Sequence, residues 1–266
     1  MELARKARAL APTDPAVSHS LGRLAYSAGD HKWALSLLQE SARKLPDDPQ
    51  VKLDLALAQF GNGQLRDAEP SLAKLADGTN SAAGALLKWV RLCLNPAEAE
   101  KAGAEIEQAL KGDPNHLGAR FLSGVIQQRK GDFKGAQTAF EGTLKQYPAF
   151  IPANKELAHL YGEHGDYQKA LDHALAAREA DRQDRRVART LGIVSYKRND
   201  FRRSADLLRD IVREQGADAE AQFYLGMAQF RLGDHPRSRE ALRKALDLDA
   251  NARFAPEARE TLSQLQ

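Results

Sequence analysis

The sequence predicts an all-α protein, a right-handed superhelical solenoid of antiparallel helix pairs closed by a C-terminal capping helix. Three observations predict it. Ala, Leu, Arg, Lys, Glu, Asp and Gln dominate the 266 residues, mostly good helix formers, and aromatics make up only 6%. A Gly-Asp pair recurs with a spacing of 34 residues, as from Gly131 to Gly165. Small residues recur at two further fixed places in the same period, one ahead of the pair and one behind it.

Taken in chain order, Leu21-Gly22 is followed by Gly29-Asp30 and Ala34. Gly131-Asp132 with Ala136 and Gly165-Asp166 with Ala170 continue the series. Leu191-Gly192 leads to Asn199-Asp200 and Ser204, and Leu225-Gly226 to Gly233-Asp234 and Ser238. The register runs without insertion through seven units: 15–48, 49–82, 83–116, 117–150, 151–184, 185–218 and 219–252.

Each part of the pattern has a physical role. The eighth position of a unit reads Gly22, Ala56, Val90, Gly124, Ala158, Gly192 and Gly226; the twentieth reads Ala34, Ala68, Ala102, Ala136, Ala170, Ser204 and Ser238. Small side chains at both let two helices approach closely. Gly-Asp supplies a left-handed C-cap followed by an N-capping carboxylate. Pro46, Pro114 and Pro148 end the second helix of their units. One pair cannot bury its apolar face alone, so the units stack.

Two units depart from the pattern. The third has Asn95-Pro96-Ala97-Glu98 in place of Gly-Asp, which predicts an Asn N-cap and a tighter turn. In the second, Pro70 falls inside the second helix and predicts a kink or a late start. With the Gly/Asn/Ser-rich stretch 77–81, this makes 64–98 the expected soft spot. Residues 1–14 match the second helix of an incomplete preceding unit, so the chain is expected to begin inside a longer array. Residues 253–266, with Phe254, Ala258, Leu262 and Leu265, predict the capping helix.

The unit resembles the tetratricopeptide repeat (TPR), with Leu-Gly in its first helix, Ala in its second and Pro near its end. The resemblance covers essentially the whole chain. It implies that first helices line a concave groove, with ligand-facing residues at positions two, five, nine and often twelve. Carried over residue by residue, the first unit offers Arg23 and Tyr26, the second Leu53, Leu57 and Phe60, and the third Leu87 and Arg91 with Leu94. The fourth offers Phe121 and Val125 with Gln128, and the fifth Lys155 and His159. The sixth gives Arg186, Arg189, Ile193 and Tyr196, and the last Phe223, Met227 and Phe230. The groove thus reads as apolar through units two to four and basic through five and six. Two specialised subtypes do not match. A carboxylate clamp starting at Lys155 continues as His159, Thr190, Glu220 and Tyr224, and position six carries no Asn ladder.

Catalytic constellations are not found in the sequence. Gly61-Asn62-Gly63 reads as an inter-helix turn rather than a phosphate loop, and the single cysteine, Cys93, as core packing. His159, His164 and His173 form no i, i+4 pair, so no metal and no cofactor is implied. No apolar run approaches the roughly 20 residues needed to span a bilayer. Residues 1–14 lack the apolar stretch of a signal peptide, which leaves the compartment open with the cytoplasm favoured. A net charge of +3 does not by itself point to nucleic acid.

These observations predict a non-enzymatic scaffold that holds a peptide or protein segment in its groove, acidic with apolar anchors, bound by Lys155 and Arg189. Arg189→Glu and Lys155→Glu are expected to weaken binding and leave melting unchanged. One alternative is a self-assembling or intramolecular structural array, which concentration-dependent elution would reveal. Another is an RNA-binding helical repeat, for which the regular polar recognition pairs are lacking. A regulatory part of a larger enzyme is a further one.

Overall fold

The computed structural model describes residues 6, 8–76, 81–180, 182, 184–215 and 218–265. The stretch 77–80, within the expected soft spot, lies outside them, as does much of the helix expected over 1–14. Among the described residues all regular structure is helical. The chain divides into two compact units, Met1–Glu156 and Leu157–Gln266.

The first unit contains α1 (Pro15–Ser27), α2 (His31–Lys44), α3 (Pro49–Gly61), α4 (Leu65–Ala76) and α5 (Ser81–Leu94). A 3₁₀ segment (Pro96–Ala102), α6 (Gly103–Gly112), α7 (Leu117–Arg129) and α8 (Phe133–Gln146) follow, then the start of α9 (Ile151–Glu163). The second unit holds the rest of α9, α10 (Tyr167–Ala180), α11 (Arg185–Lys197), α12 (Phe201–Gln215), α13 (Ala219–Arg231), α14 (His235–Leu248) and α15 (Ala255–Gln264).

Helices start where carboxylates can cap them. Asp30, Asp132, Asp200 and Asp234 accept the N–H three residues on, at 2.9 to 3.3 Å. Asp48, Asp184 and Asp218 do the same for α3, α11 and α13. Before Asp30, Asp132, Asp200 and Asp234 the preceding residue is left-handed, with φ near +80° at Gly29, Gly131 and Gly233 and +65° at Asn199.

Within a pair, close approach is enforced by the eighth position. A Cβ at Gly124 would sit 2.7 Å from Phe140, and one at Gly192 2.6 Å from Leu208. Opposite them Ala136 and Ser204 are fully buried. The pairs close over Leu21, Leu157 and Leu191, each inaccessible to solvent. In the second unit Phe254 stacks on Phe223 with centroids 4.7 Å apart, and Ala258 and Leu265 join the same core.

Two local expectations are corrected. Asn95 makes no side-chain cap; Glu98 N–H bonds to its carbonyl instead, starting a 3₁₀ turn, and the α-helix begins only at Gly103. Pro70 neither delays nor ends α4, which starts at Leu65 and runs on to Ala76; the proline ring is exposed.

Candidate functional site

In the first unit two of the positions predicted to face a ligand, Phe60 and Phe121, pack instead on a third ring, Phe150. Phe60 of α3, Phe121 of α7 and Phe150 before α9 form one aromatic group, with Phe150 6.0 Å from Phe60 and 5.3 Å from Phe121. All three are at most 3% exposed. Leu87 and Val125 are buried as well, while Leu53 and Leu57 are half-buried. The three rings pack on one another rather than facing solvent, and Leu53, Leu57 and Leu94 keep the partly exposed apolar surface of units two to four.

A second set of contacts holds this closure, with no obvious signal in the sequence. The Tyr26 hydroxyl donates to that of Tyr147, and His31 stacks on the Tyr147 ring at 4.6 Å. His31 Nε2–H donates to the Gln146 carbonyl at 3.0 Å, and Asn62 donates to the carbonyls of His31 and Ala58 at 2.7 and 2.8 Å. The α3–α4 turn needs Gly63 for a reason beyond its φ of +74°: a Cβ there would lie 2.6 Å from the Ile151 backbone nitrogen. Burial raises the pKa of Tyr26 and of Tyr147 and lowers that of His31. His31 is therefore the neutral tautomer with its proton on Nε2, and its buried Nδ1 has no partner.

The basic residues are placed differently from the expectation too. Arg189 is half-buried and donates from Nε to Asp218 at 2.6 Å and from Nη2 to Glu220 at 2.7 Å. Burial works against its charge, yet the two carboxylates hold its pKa above the ordinary value. Asp218 is also the N-cap of α13, so Arg189 staples two first helices together. Its Nε and Nη2 are thus engaged within the protein. Arg91 pairs with Glu69 at 2.9 Å, and Arg23 lies 3.6 Å from Asp54, which also pairs with His19. His159 lies 3.8 Å from Glu163. Lys155 is half-buried and Arg186 exposed.

In the second unit Phe223 and Tyr196 are buried, at 2% and 9% exposure, but Ile193, Tyr224 and Phe230 stay partly exposed on the first helices. Tyr224 lies 5.3 Å from Tyr196, and the Lys197 ammonium sits 5.1 Å from the Tyr224 centroid. Burial raises the Tyr224 pKa, with Lys197 opposing it.

Cys93 is buried, and burial pushes its thiol up, away from the reactive thiolate. His164 Nδ1 is 2.8 Å from the Leu160 carbonyl, and His173 stacks on Tyr161. Among the described residues no three His, Cys, Asp or Glu side chains converge, and no helix is long and apolar enough to cross a membrane.

Family models described as tetratricopeptide repeat match residues 25–90, 127–192 and 189–253. A curated relative, the Protein CTR9 homolog of Arabidopsis thaliana, is 33% identical over 97 residues, 35% of this chain; the chain spans only 9% of that relative's length. Among solved structures, the MamA RS-1 ArsTM double mutant aligns with a TM-score of 0.51 at 21% identity, over 60% of this chain and 90% of that one. YrrB, titled a TPR protein with an unusual peptide-binding site, aligns at 0.50 and 14% identity, over 84% of this chain and 97% of its own. These likenesses show the shared fold.

Proposed function

Because this chain belongs to the tetratricopeptide repeat family, we propose that it is a non-enzymatic scaffold whose second unit holds a protein segment against its first helices. In this reading residues 15–252 are seven stacked units capped by α15. The observation that carries it is the contrast between the two units. The aromatic positions of the first are consumed by one another, whereas Ile193, Tyr224 and Phe230 keep partly exposed apolar surface on a rigid frame.

Arg189 then acts as a strut beneath that surface. With its charge balanced by Asp218 and Glu220, the segment is selected by apolar anchors rather than by acidic ones. Phe230→Glu would place a charge on the surface and remove a ring packed at the edge of the core, so its fold is checked by its melting temperature. In a pull-down with mass-spectrometric identification, a protein retained by wild type and lost with Phe230→Glu supports the reading. Identical profiles for two equally folded proteins would sink it.

A further inference from the structure

A second groove lies between the second helices of the last two pairs. A cavity of about 540 Å³ opens between α12 and α14, with α13 as its floor. Arg209 and Arg213 stand on one wall, Arg237 and Lys244 on the other, with Glu240 the only acidic residue lining it among the described residues. The floor carries Gln222 and Gln229, 3% and 5% exposed, and the Gln229 Oε1 is buried without a hydrogen-bond partner. A buried amide oxygen left unpaired is unfavourable, so its place beside an open cavity suits an occupant that donates to it.

We infer that this groove binds an acidic, extended segment of another protein, with the amides of Gln222 and Gln229 meeting its backbone and the four cations its carboxylates. Amide side chains both donate and accept, which is what a peptide backbone requires. Seven residues apart on α13, the two amides are about 10 Å from one another along the axis. That is the span of about three residues of extended chain at roughly 3.3 Å each. Leu225 and Val212 add apolar surface between them.

The cations are available at little cost. Arg209, Arg213 and Arg237 each pair with a carboxylate three residues earlier, Asp206, Asp210 and Asp234, at 3.0 to 3.2 Å. Those pairs are largely solvent-exposed and contribute little, so the guanidiniums can turn to a ligand. Lys244 has no ion pair among the described residues. Nucleic acid fits the groove less well, because none of the lining residues is aromatic and a base would have no ring to stack on.

The test is fluorescence anisotropy of the full chain with a fluorescein-labelled peptide of alternating Glu and Ala. Saturable binding is expected, weakened at least about tenfold by Arg213→Glu/Lys244→Glu and about fivefold by Gln229→Leu. Arg253→Glu, away from the groove, and Phe230→Glu, which does not line it, should leave the peptide's affinity unchanged. That independence separates this site from the first-helix surface. Arg213 and Lys244 are exposed, so their variants remain informative even if Gln229→Leu does not fold. Lack of binding, or unchanged affinity in the Arg213/Lys244 variant, overturns the proposal. Equal competition by inorganic polyphosphate or single-stranded DNA would also overturn it, since charge alone would then explain the binding.

Discussion

His31 stacks on Tyr147 with ring centroids 4.6 Å apart and an interplanar angle of 21°, joining the start of α2 to the residue that follows α8. Burial favours a neutral imidazole there. Nε2–H is spent on the Gln146 carbonyl, and a proton on the buried Nδ1 would find no acceptor. His116 is under a similar constraint: its Nδ1 accepts the Ala119 N–H as the N-cap of α7, while the ring leans on Trp89 at 4.6 Å.

Burial lowers the pKa of both histidines below the roughly 6.5 of an unfolded chain, with Asp30 and Asp113 opposing the shift weakly. The unfolded chain therefore binds more protons in the window just below that value. Stability from these groups is fully present above about pH 6.5 and is lost as pH falls toward their folded values. Melting temperature measured from pH 7.5 down to 5 should decline. His116→Ser, which keeps a cap but cannot titrate there, should flatten part of the slope.

Gly124 and Gly84 should respond to alanine in opposite senses. A Cβ at Gly124 meets the rigid Phe140 ring at 2.7 Å, so Gly124→Ala should destabilise by about 1–3 kcal/mol. Gly84 in α5 has nothing within 4 Å, so Gly84→Ala should stabilise by about 0.5–1 kcal/mol through helix propensity. Urea denaturation of the two variants reads both signs.

Arg189→Glu should lower stability, contrary to the behaviour of a free surface charge. It would place a third carboxylate beside Asp218 and Glu220 and strip the first of its partner. A loss of about 1–3 kcal/mol is expected, with the N-terminal unit unaffected. Arg189→Met, which leaves the carboxylates without their partner but adds no like charge, should cost less. Thermal melts of both variants decide this, and equal melting with wild type would return Arg189 to the ligand face.

Asn62→Leu should cost about 1–3 kcal/mol, because two carbonyls, on His31 and Ala58, lose a buried donor. The loss should appear as increased hydrogen exchange in residues 26–31 and 60–63 together. Protection unchanged in the 26–31 stretch would show that Asn62 does not hold it.

The helix pairs were legible because their causes are local. Gly22, Gly124 and Gly192 must be small on account of residues about sixteen further along the same unit, and Asp30 or Asp234 caps a helix beginning at its own neighbour. The placement of Phe60, Phe121 and Phe150 was not legible in this way. These rings come from two repeats that are not sequence neighbours, the second and the fourth, and Phe60 and Phe121 each look in their own repeat like residues turned toward a ligand. The same holds for Arg189, whose partners are the N-cap and the first turn of the next unit's first helix. A periodic sequence fixes which face a residue is on, and only the three-dimensional path decides whether another repeat already occupies that face.

The bond from His31 to Gln146 spans 115 residues in a fold whose other contacts run mostly between adjacent helices. An array with neighbour contacts alone can nucleate anywhere and fray from its ends one repeat at a time. Here, closing so long a loop carries an entropy cost before any of its contacts form. The N-terminal unit should therefore lose its early helices and its α8 end in one step, which makes it a poor candidate for repeat deletion and a cooperative body within a modular chain.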